Sequence, residues 1–162
     1  MKNRQGNSSK HMDELVEDTL LEQYDKYYRI AYSYVHNKED AMDVVQEGAY
    51  KAILNCDKLQ EEKFTDTWIC RIMINEAMTL LRKNKVMPKE TEQMEQGKED
   101  DYSDIDLTNA IEKLSLEEQT MIRLHYYEDM TLLEVARVME KNVNTVKSRL
   151  YRAIDNLGVE LS

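Results

Sequence analysis

Apolar residues recur every three or four positions along most of this 162-residue chain, and the places where the pattern stops divide it into elements. Leu15, Leu20, Leu21, Tyr24, Tyr28, Ala31, Tyr32 and Val35 keep helical spacing until His36-Asn37-Lys38 interrupts them. Asn37 is suited to cap a following helix, with Glu39 and Asp40 favouring its positive N-terminal end, and that helix runs to about Asn55. A polar stretch, Asp57 to Asp66, leads to a third long helix from Thr67 to Lys83. Near the C-terminus two shorter periodic segments, Leu132–Met139 and Val143–Leu157, are separated by three polar residues, Glu140-Lys141-Asn142. No period-two alternation bounded by turn residues is found, so the expected fold is all-α.

Between the two groups of helices the pattern is absent. Residues 87–106 hold the only proline, one glycine and a strong acidic excess, and no apolar face can be drawn through them. They are expected to form a flexible acidic linker. The expected organisation is a flexible tail at 1–11, a helical bundle at 12–86, the linker at 87–106 and a second helical domain at 107–162.

Charge changes this picture. The net charge is −10, which disfavours non-specific DNA affinity, because phosphate neutralisation supplies most of that affinity. Yet residues 13–47 carry ten carboxylates against three cations, while 141–162 carry four cations against two carboxylates. Two mildly basic surfaces, at 48–87 and 141–162, sit in an acidic body. Such a chain binds DNA weakly alone and needs a second source of affinity. Cys56 and Cys70 lack metal-type spacing and read as reduced structural thiols of a cytoplasmic protein. No run approaches the ~18 apolar residues of a membrane span. His11, His36 and His125 are dispersed, with no phosphate-cradling glycine loop and no nucleophile–base constellation, so neither an enzyme nor a cofactor is expected. His125, beside two tyrosines, reads as a packing residue.

The two C-terminal segments have the layout of a helix-turn-helix. Val143, Val146, Leu150, Ile154 and Leu157 form a seating stripe, while Asn144, Lys147, Ser148 and Tyr151, flanked by Arg152, form the other face. Lysine and arginine suit guanine acceptors or phosphates, serine suits either, and tyrosine suits phosphate or a thymine methyl. Asn142 is a good cap for this helix. By pattern alone the same segment also fits an amphipathic helix with a solvated face.

Thr145–Ala153, TVKSRLYRA, with the preceding Ala110–Ala136, AIEKLSLEEQTMIRLHYYEDMTLLEVA, resembles region 4 of bacterial sigma factors of the sigma-70 family. Glu140 stands where such turns usually carry glycine, and Lys141 where they carry an apolar residue. Asp40–Ile53, DAMDVVQEGAYKAI, resembles the polymerase-binding helix of region 2. There Asp40, Asp43, Gln46 and Glu47 form a polar face opposite Ala41, Val45, Ala49 and Ala52. An acidic face of this kind is also what a solvated helix shows. Gly48 replaces a usually bulkier residue, at about 1 kcal/mol of helix stability relative to Ala. Thr67–Lys85, TWICRIMINEAMTLLRKNK, resembles the helix that follows the −10 recognition loop. Trp68, Arg71, Asn75, Thr79 and Arg82 share one stripe of it, suited to stacking and reading single-stranded bases; packing into the core is the other reading of Trp68. Arg82, Lys83 and Lys85 make a basic end. Phe64, Thr65 and Asp66 lie in the loop that would hold an extruded base.

With regions 2 and 4 and no full region 3, the chain resembles an extracytoplasmic-function (group 4) sigma factor. The resemblance implies a monomer when free that binds core RNA polymerase through the β′ clamp helices and the β flap. It implies recognition of promoter −10 and −35 elements, the −35 set being Asn144, Thr145, Lys147, Ser148, Arg149, Tyr151 and Arg152. It also implies an anti-sigma partner. A stand-alone helix-turn-helix regulator, working as a dimer on a palindrome, and a sigma mimic are the other readings of the pattern.

Overall fold

In the computed structural model, residues 2–84 and 109–158 are described, with side chains from His11 onward in the first stretch. Among the described residues every regular element is helical, and the chain divides into two compact units, residues 1–88 and 89–162. The linker expected at 87–106 and Lys85 lie outside the described residues.

The first unit holds α1 (Lys2–Glu22), α2 (Tyr24–Val35), α3 (Lys38–Leu54), two single-turn 3-10 segments (Cys56–Lys58 and Glu62–Phe64) and α4 (Thr65–Asn84). The periodic run to Val35 is broken at Gln23, although the Gln23 N–H still reaches Thr19 O at 2.9 Å. α1 begins at Lys2, so helix occupies residues 2–11, where the pattern predicts a flexible tail. From the end of that segment onward α1 is anchored by Val16 in the core and by contacts of His11 and Asp13 with the loop after α3.

α2 ends where His36 takes φ 60°, its N–H bonded to Tyr32 O at 2.8 Å. Asn37 then caps α3, its Oδ1 accepting the Asp40 N–H at 2.8 Å. The core of the unit is formed by Val16, Tyr27, Ala31, Ala41, Ala52, Ile69 and Met73 from all four helices. Gly48 is not simply a helix cost. It is buried, and a Cβ there would stand 2.5 Å from Met73 Sδ, so glycine lets α3 and α4 pack at close range.

The described part of the second unit starts with a helical turn at 109–112. It continues with α5 (Leu116–Ile122), a π-helical turn (Arg123–Tyr127), α6 (Leu132–Met139) and α7 (Val143–Leu157). Ser115 and Thr131 each form a reciprocal capping box, with Glu118 and Glu134. In the wide turn the Glu128 N–H reaches Arg123 O at 3.0 Å. His125 Nδ1 donates to Met130 O at 2.7 Å and its ring meets Tyr126 edge-on, so it packs, as expected. Ala136, Val146, Leu150 and Ala153 are buried where α6 and α7 meet.

The turn of the helix-turn-helix closes despite its unusual residues. Glu140 takes φ 55°, ψ 48°, its N–H on Arg137 O at 3.2 Å, and the Lys141 N–H reaches Ala136 O at 2.9 Å. These two bonds make a Schellman end to α6, with a non-glycine residue in the left-handed position.

Two stability predictions follow from these positions. Gly48→Leu should lower stability by about 1–3 kcal/mol through overpacking against Met73, and Gly48→Leu with Met73→Ala should cost less than the two singles combined, as read by denaturant unfolding. Glu140→Gly should raise stability by about 1 kcal/mol by relieving the left-handed backbone, visible as a higher unfolding midpoint.

Candidate nucleic-acid interface and docking face

α3 buries Ala41, Val44, Val45, Gly48 and Ala52, which leaves the opposite face outward. Asp43, Gln46 and Glu47 are exposed there. Asp40 is half-buried and its carboxylate accepts from Asn37 Nδ2 at 2.9 Å, so it also serves the cap. The polar pattern misses two residues of the same face. Tyr50 is 61% and Leu54 63% exposed, and with Asp43 and Glu47 they repeat at spacings of four, three and four. An acidic half and an apolar half thus make one stripe. Beside it Lys51 pairs with Glu76 of α4, and that hydrogen bond raises the Lys51 pKa.

α4 seats itself through Ile69, Cys70, Met73, Ile74 and Ala77. The predicted stripe lies on the other side: Asn75, Thr79 and Arg82 are exposed, Trp68 and Arg71 half-buried. Trp68 is therefore not a fully buried core residue. The Thr79 hydroxyl bonds Asn75 O at 2.8 Å. Phe64 is half-buried, with Lys63 Nζ 5.2 Å from its ring centroid.

Thr65 and Asp66 are placed differently from the loop role expected of them. Thr65 is the first residue of α4 and is 4% exposed, its hydroxyl donating to Glu62 O at 2.6 Å. Asp66 accepts from the Tyr27 hydroxyl at 2.7 Å and pairs with Lys26, bracing α4 against α2. Burial, then the Asp66 charge, drives the Tyr27 phenol well above its ordinary range and keeps it a donor. Both residues hold the start of the helix from within, because a helix entering a bundle directs part of its first turn to the core.

On α7, Asn144, Thr145, Lys147, Ser148, Tyr151 and Arg152 are exposed, while Val146, Leu150 and Ala153 are buried. Asn142 caps the helix, its Oδ1 accepting the Asn144 N–H at 2.8 Å. Arg149 departs from its expected outward role. It is half-buried, with Nη1 2.6 Å from Glu117 Oε1 and Nη2 3.7 Å from Glu118 Oε2. Glu117 Oε2 also lies 3.1 Å from Lys141 Nζ. One carboxylate therefore joins α5, the turn and α7, and Lys141, standing at a usually apolar position, is one of its partners. The Arg149 hydrogen bond is the first cause that holds the Glu117 carboxyl below its ordinary value of 4.5. The bridge contributes fully above that value and weakens as pH falls through the lowered one; because Glu117 is nearly half exposed, that contribution is small.

Among the described residues no helix is long and apolar enough to cross a membrane, and no group of three or more metal-binding side chains occurs.

Comparison with known proteins accounts for both units. Residues 20–86 match the model of sigma-70 region 2, and residues 104–157 match that of sigma-70 region 4. The chain is 40% identical over 140 residues to RNA polymerase sigma factor SigV of Bacillus subtilis, covering 84% of each protein. It is 27% identical over 156 residues to the ECF RNA polymerase sigma factor SigW of the same organism, covering 85% of this chain and 83% of that protein. Among solved structures, the sigma factor RpoE of Bartonella quintana superposes with a TM-score of 0.66 at 22% identity, covering 87% of this chain and 92% of that one. CnrH superposes at 0.65 with 21% identity, covering 88% and 84%. At such identities these two show the fold alone. The matches to both regions, in order on one helical chain and with SigV as a relative, establish that this chain belongs to the sigma-70 family of RNA polymerase sigma factors, in its extracytoplasmic-function branch, and serves promoter-specific transcription initiation with core RNA polymerase.

Proposed function

We propose that the three outward faces divide the work of initiation. The stripe of α3, with Asp40, Asp43, Gln46 and Glu47, docks on the basic β′ clamp helices of core polymerase. Tyr50 and Leu54 supply the apolar part of that contact, since affinity concentrates in desolvated aromatic and aliphatic anchors while charges steer the encounter. The α4 stripe of Trp68, Arg71, Asn75, Thr79 and Arg82, with Phe64 ahead of it, receives unpaired bases of the −10 element. α7 reads the −35 element in the major groove through Asn144, Thr145, Lys147, Ser148, Tyr151 and Arg152. Thr65, Asp66 and Arg149 support these faces from behind.

The observation that carries this reading is the sorting of cations on α7. Lys147 and Arg152 stand on the exposed face, whereas Arg149 is tied inward to Glu117. A helix with a solvated surface and no ligand has no need of that division. The acidic body fits the same scheme: free protein avoids DNA, and polymerase holds two weak DNA sites at a working separation, which raises their joint affinity. The RpoE and CnrH structures are described as complexes with the anti-sigma factor NepR and with the cytosolic domain of CnrY. By extension an anti-sigma protein would cover the same faces of this chain, in the cytoplasm where polymerase works.

Holoenzyme binding to a promoter fragment, measured against salt, tests the assignment. Arg152→Ala should weaken binding and reduce the log–log salt slope by about 1, as loss of one phosphate contact does. Arg149→Ala should weaken −35-dependent binding with the slope unchanged, and Glu117→Gln should add little to it. A lowered slope for Arg149→Ala, equal to that of Arg152→Ala, would make Arg149 a DNA contact and refute the division.

For docking, Tyr50→Ala and Leu54→Ala should each reduce affinity for core polymerase about tenfold through faster dissociation. Asp43→Asn and Glu47→Gln should instead slow association and flatten its salt dependence. Titration of labelled protein with core enzyme measures both; unchanged affinity in the Tyr50 and Leu54 variants would remove them from the interface.

A further inference from the structure

The loop between α3 and α4 is held at both ends by α1. At its start, Cys56 Sγ donates to Asp13 Oδ1 at 2.9 Å. Burial and the adjacent Asp13 carboxylate push the Cys56 thiol up to about 11, so it stays a protonated donor. At its far end, His11 Nε2 lies 2.8 Å from Glu62 Oε2. Leu59, between the two, is 5% exposed and pegs the middle of the loop. α4 grips the same segment from its other side: Thr65 Oγ1 donates to Glu62 O at 2.6 Å and Thr67 Oγ1 to Phe64 O at 3.1 Å. The turn that carries Phe64 is thus clasped between α1 and α4.

We propose that Asp13, supported by His11, is a positioning residue for promoter melting: from α1 it sets the placement of residues 55–64 so that Phe64 and Trp68 can take a base extruded from the −10 element. The proposal rests on the reading of the α4 stripe as the −10 face. Neither Asp13 nor His11 belongs to that stripe, so their effect passes through the loop. The contributions differ in weight. His11 and Glu62 are both 56% exposed, and an ion pair so open to water holds little by itself. The thiol–carboxylate bond is made by a buried sulfur and is shielded from water, so losing it leaves the Cys56 end of the loop without its partner on α1. A loop with only two single helical turns of its own would otherwise sample many arrangements, and a base pocket formed from such a segment must be ordered at each capture. A loop already clasped binds the base with less reordering, and a misplacement of about 1 Å is enough to lose the fit.

The test uses full-length protein assembled with core polymerase, on promoters whose −10 or −35 element carries single substitutions. Base extrusion is followed by a fluorescent base analogue placed at successive positions of the −10 element. Asp13→Ala and Cys56→Ala should each lower discrimination among −10 elements about tenfold and delay the fluorescence rise. Combined, they should be no worse than either alone. Cys56→Ser, which keeps a donor, should retain most of the discrimination. Discrimination at −35, affinity for core polymerase and the melting temperature should change little in all of them. Trp68→Ala serves as the reference for the −10 face. If Trp68→Ala impairs −10 discrimination and Asp13→Ala and Cys56→Ala do not, the clasp has no positioning role and the proposal is overturned, while the −10 face stands. If Trp68→Ala is without effect, the −10 reading fails and takes the proposal with it. Equal losses at −10 and −35, following a lowered melting temperature, would show a merely structural contact and also overturn it.

Discussion

A helix can offer one face to a partner only if its opposite face is held, and α3 and α4 hold each other at close range at Gly48. A Cβ there would stand 2.5 Å from Met73 Sδ, so the two helices approach as closely as backbone against side chain permits. Together with packing on α1 and α2, that contact holds the buried faces of both helices inward. With those faces inward, Asp43, Glu47, Tyr50 and Leu54 face away on α3, and Asn75, Thr79 and Arg82 face away on α4. The proposed docking face and the proposed single-strand face thus lie on helices that pack against each other. Tyr27, Lys26 and Asp66 complete the packing by pinning the first turn of α4 to α2.

The second unit reaches the same end with charge where the first uses close packing. The helix-turn-helix core is small, built on Ala136, Val146, Leu150 and Ala153, and its turn contains a left-handed glutamate. Glu117 reinforces it by bonding Arg149 on the recognition helix and Lys141 in the turn. An ion pair at a surface holds little by itself, but a carboxylate shared by two cations from different elements also fixes their geometry. It keeps one arginine out of competition for phosphate, so that the exposed face of α7 is defined by Lys147, Ser148, Tyr151 and Arg152. A protein with net charge −10 can carry such faces because its carboxylates lie elsewhere along the chain.

Features written within a few residues of each other were legible in the amino-acid sequence. The caps of Asn37 and Asn142, the outward stripes of α4 and α7, and the packing of His125 follow from periods and side-chain chemistry that act locally. Features created by folding were not. Glu117 meets Arg149 across 32 residues and Lys26 meets Asp66 across 40, and nothing in the pattern pairs them. The polar atoms of Arg149, Thr65 and Asp66 therefore have partners within the molecule that no local pattern announces. In the pattern Gly48 is a cost to its helix, and only its neighbour Met73 across the bundle gives it a packing role. The outward place of Tyr50 and Leu54 is not written in the pattern either, because the exposure of an apolar residue is set only in three dimensions.

We propose that the specificity for both promoter elements resides in this acidic chain but is expressed only when core polymerase holds it. Run-off transcription from a library of double-stranded promoters, with core polymerase in the presence and absence of the protein and with the protein alone in a parallel binding selection, tests it directly. Initiation confined to reactions containing both proteins, enriched for two sequence blocks at constant spacing, with no enrichment by the free protein, is the predicted result. Tight, sequence-specific binding of a palindrome by the free protein, with no initiation from core enzyme, would contradict it.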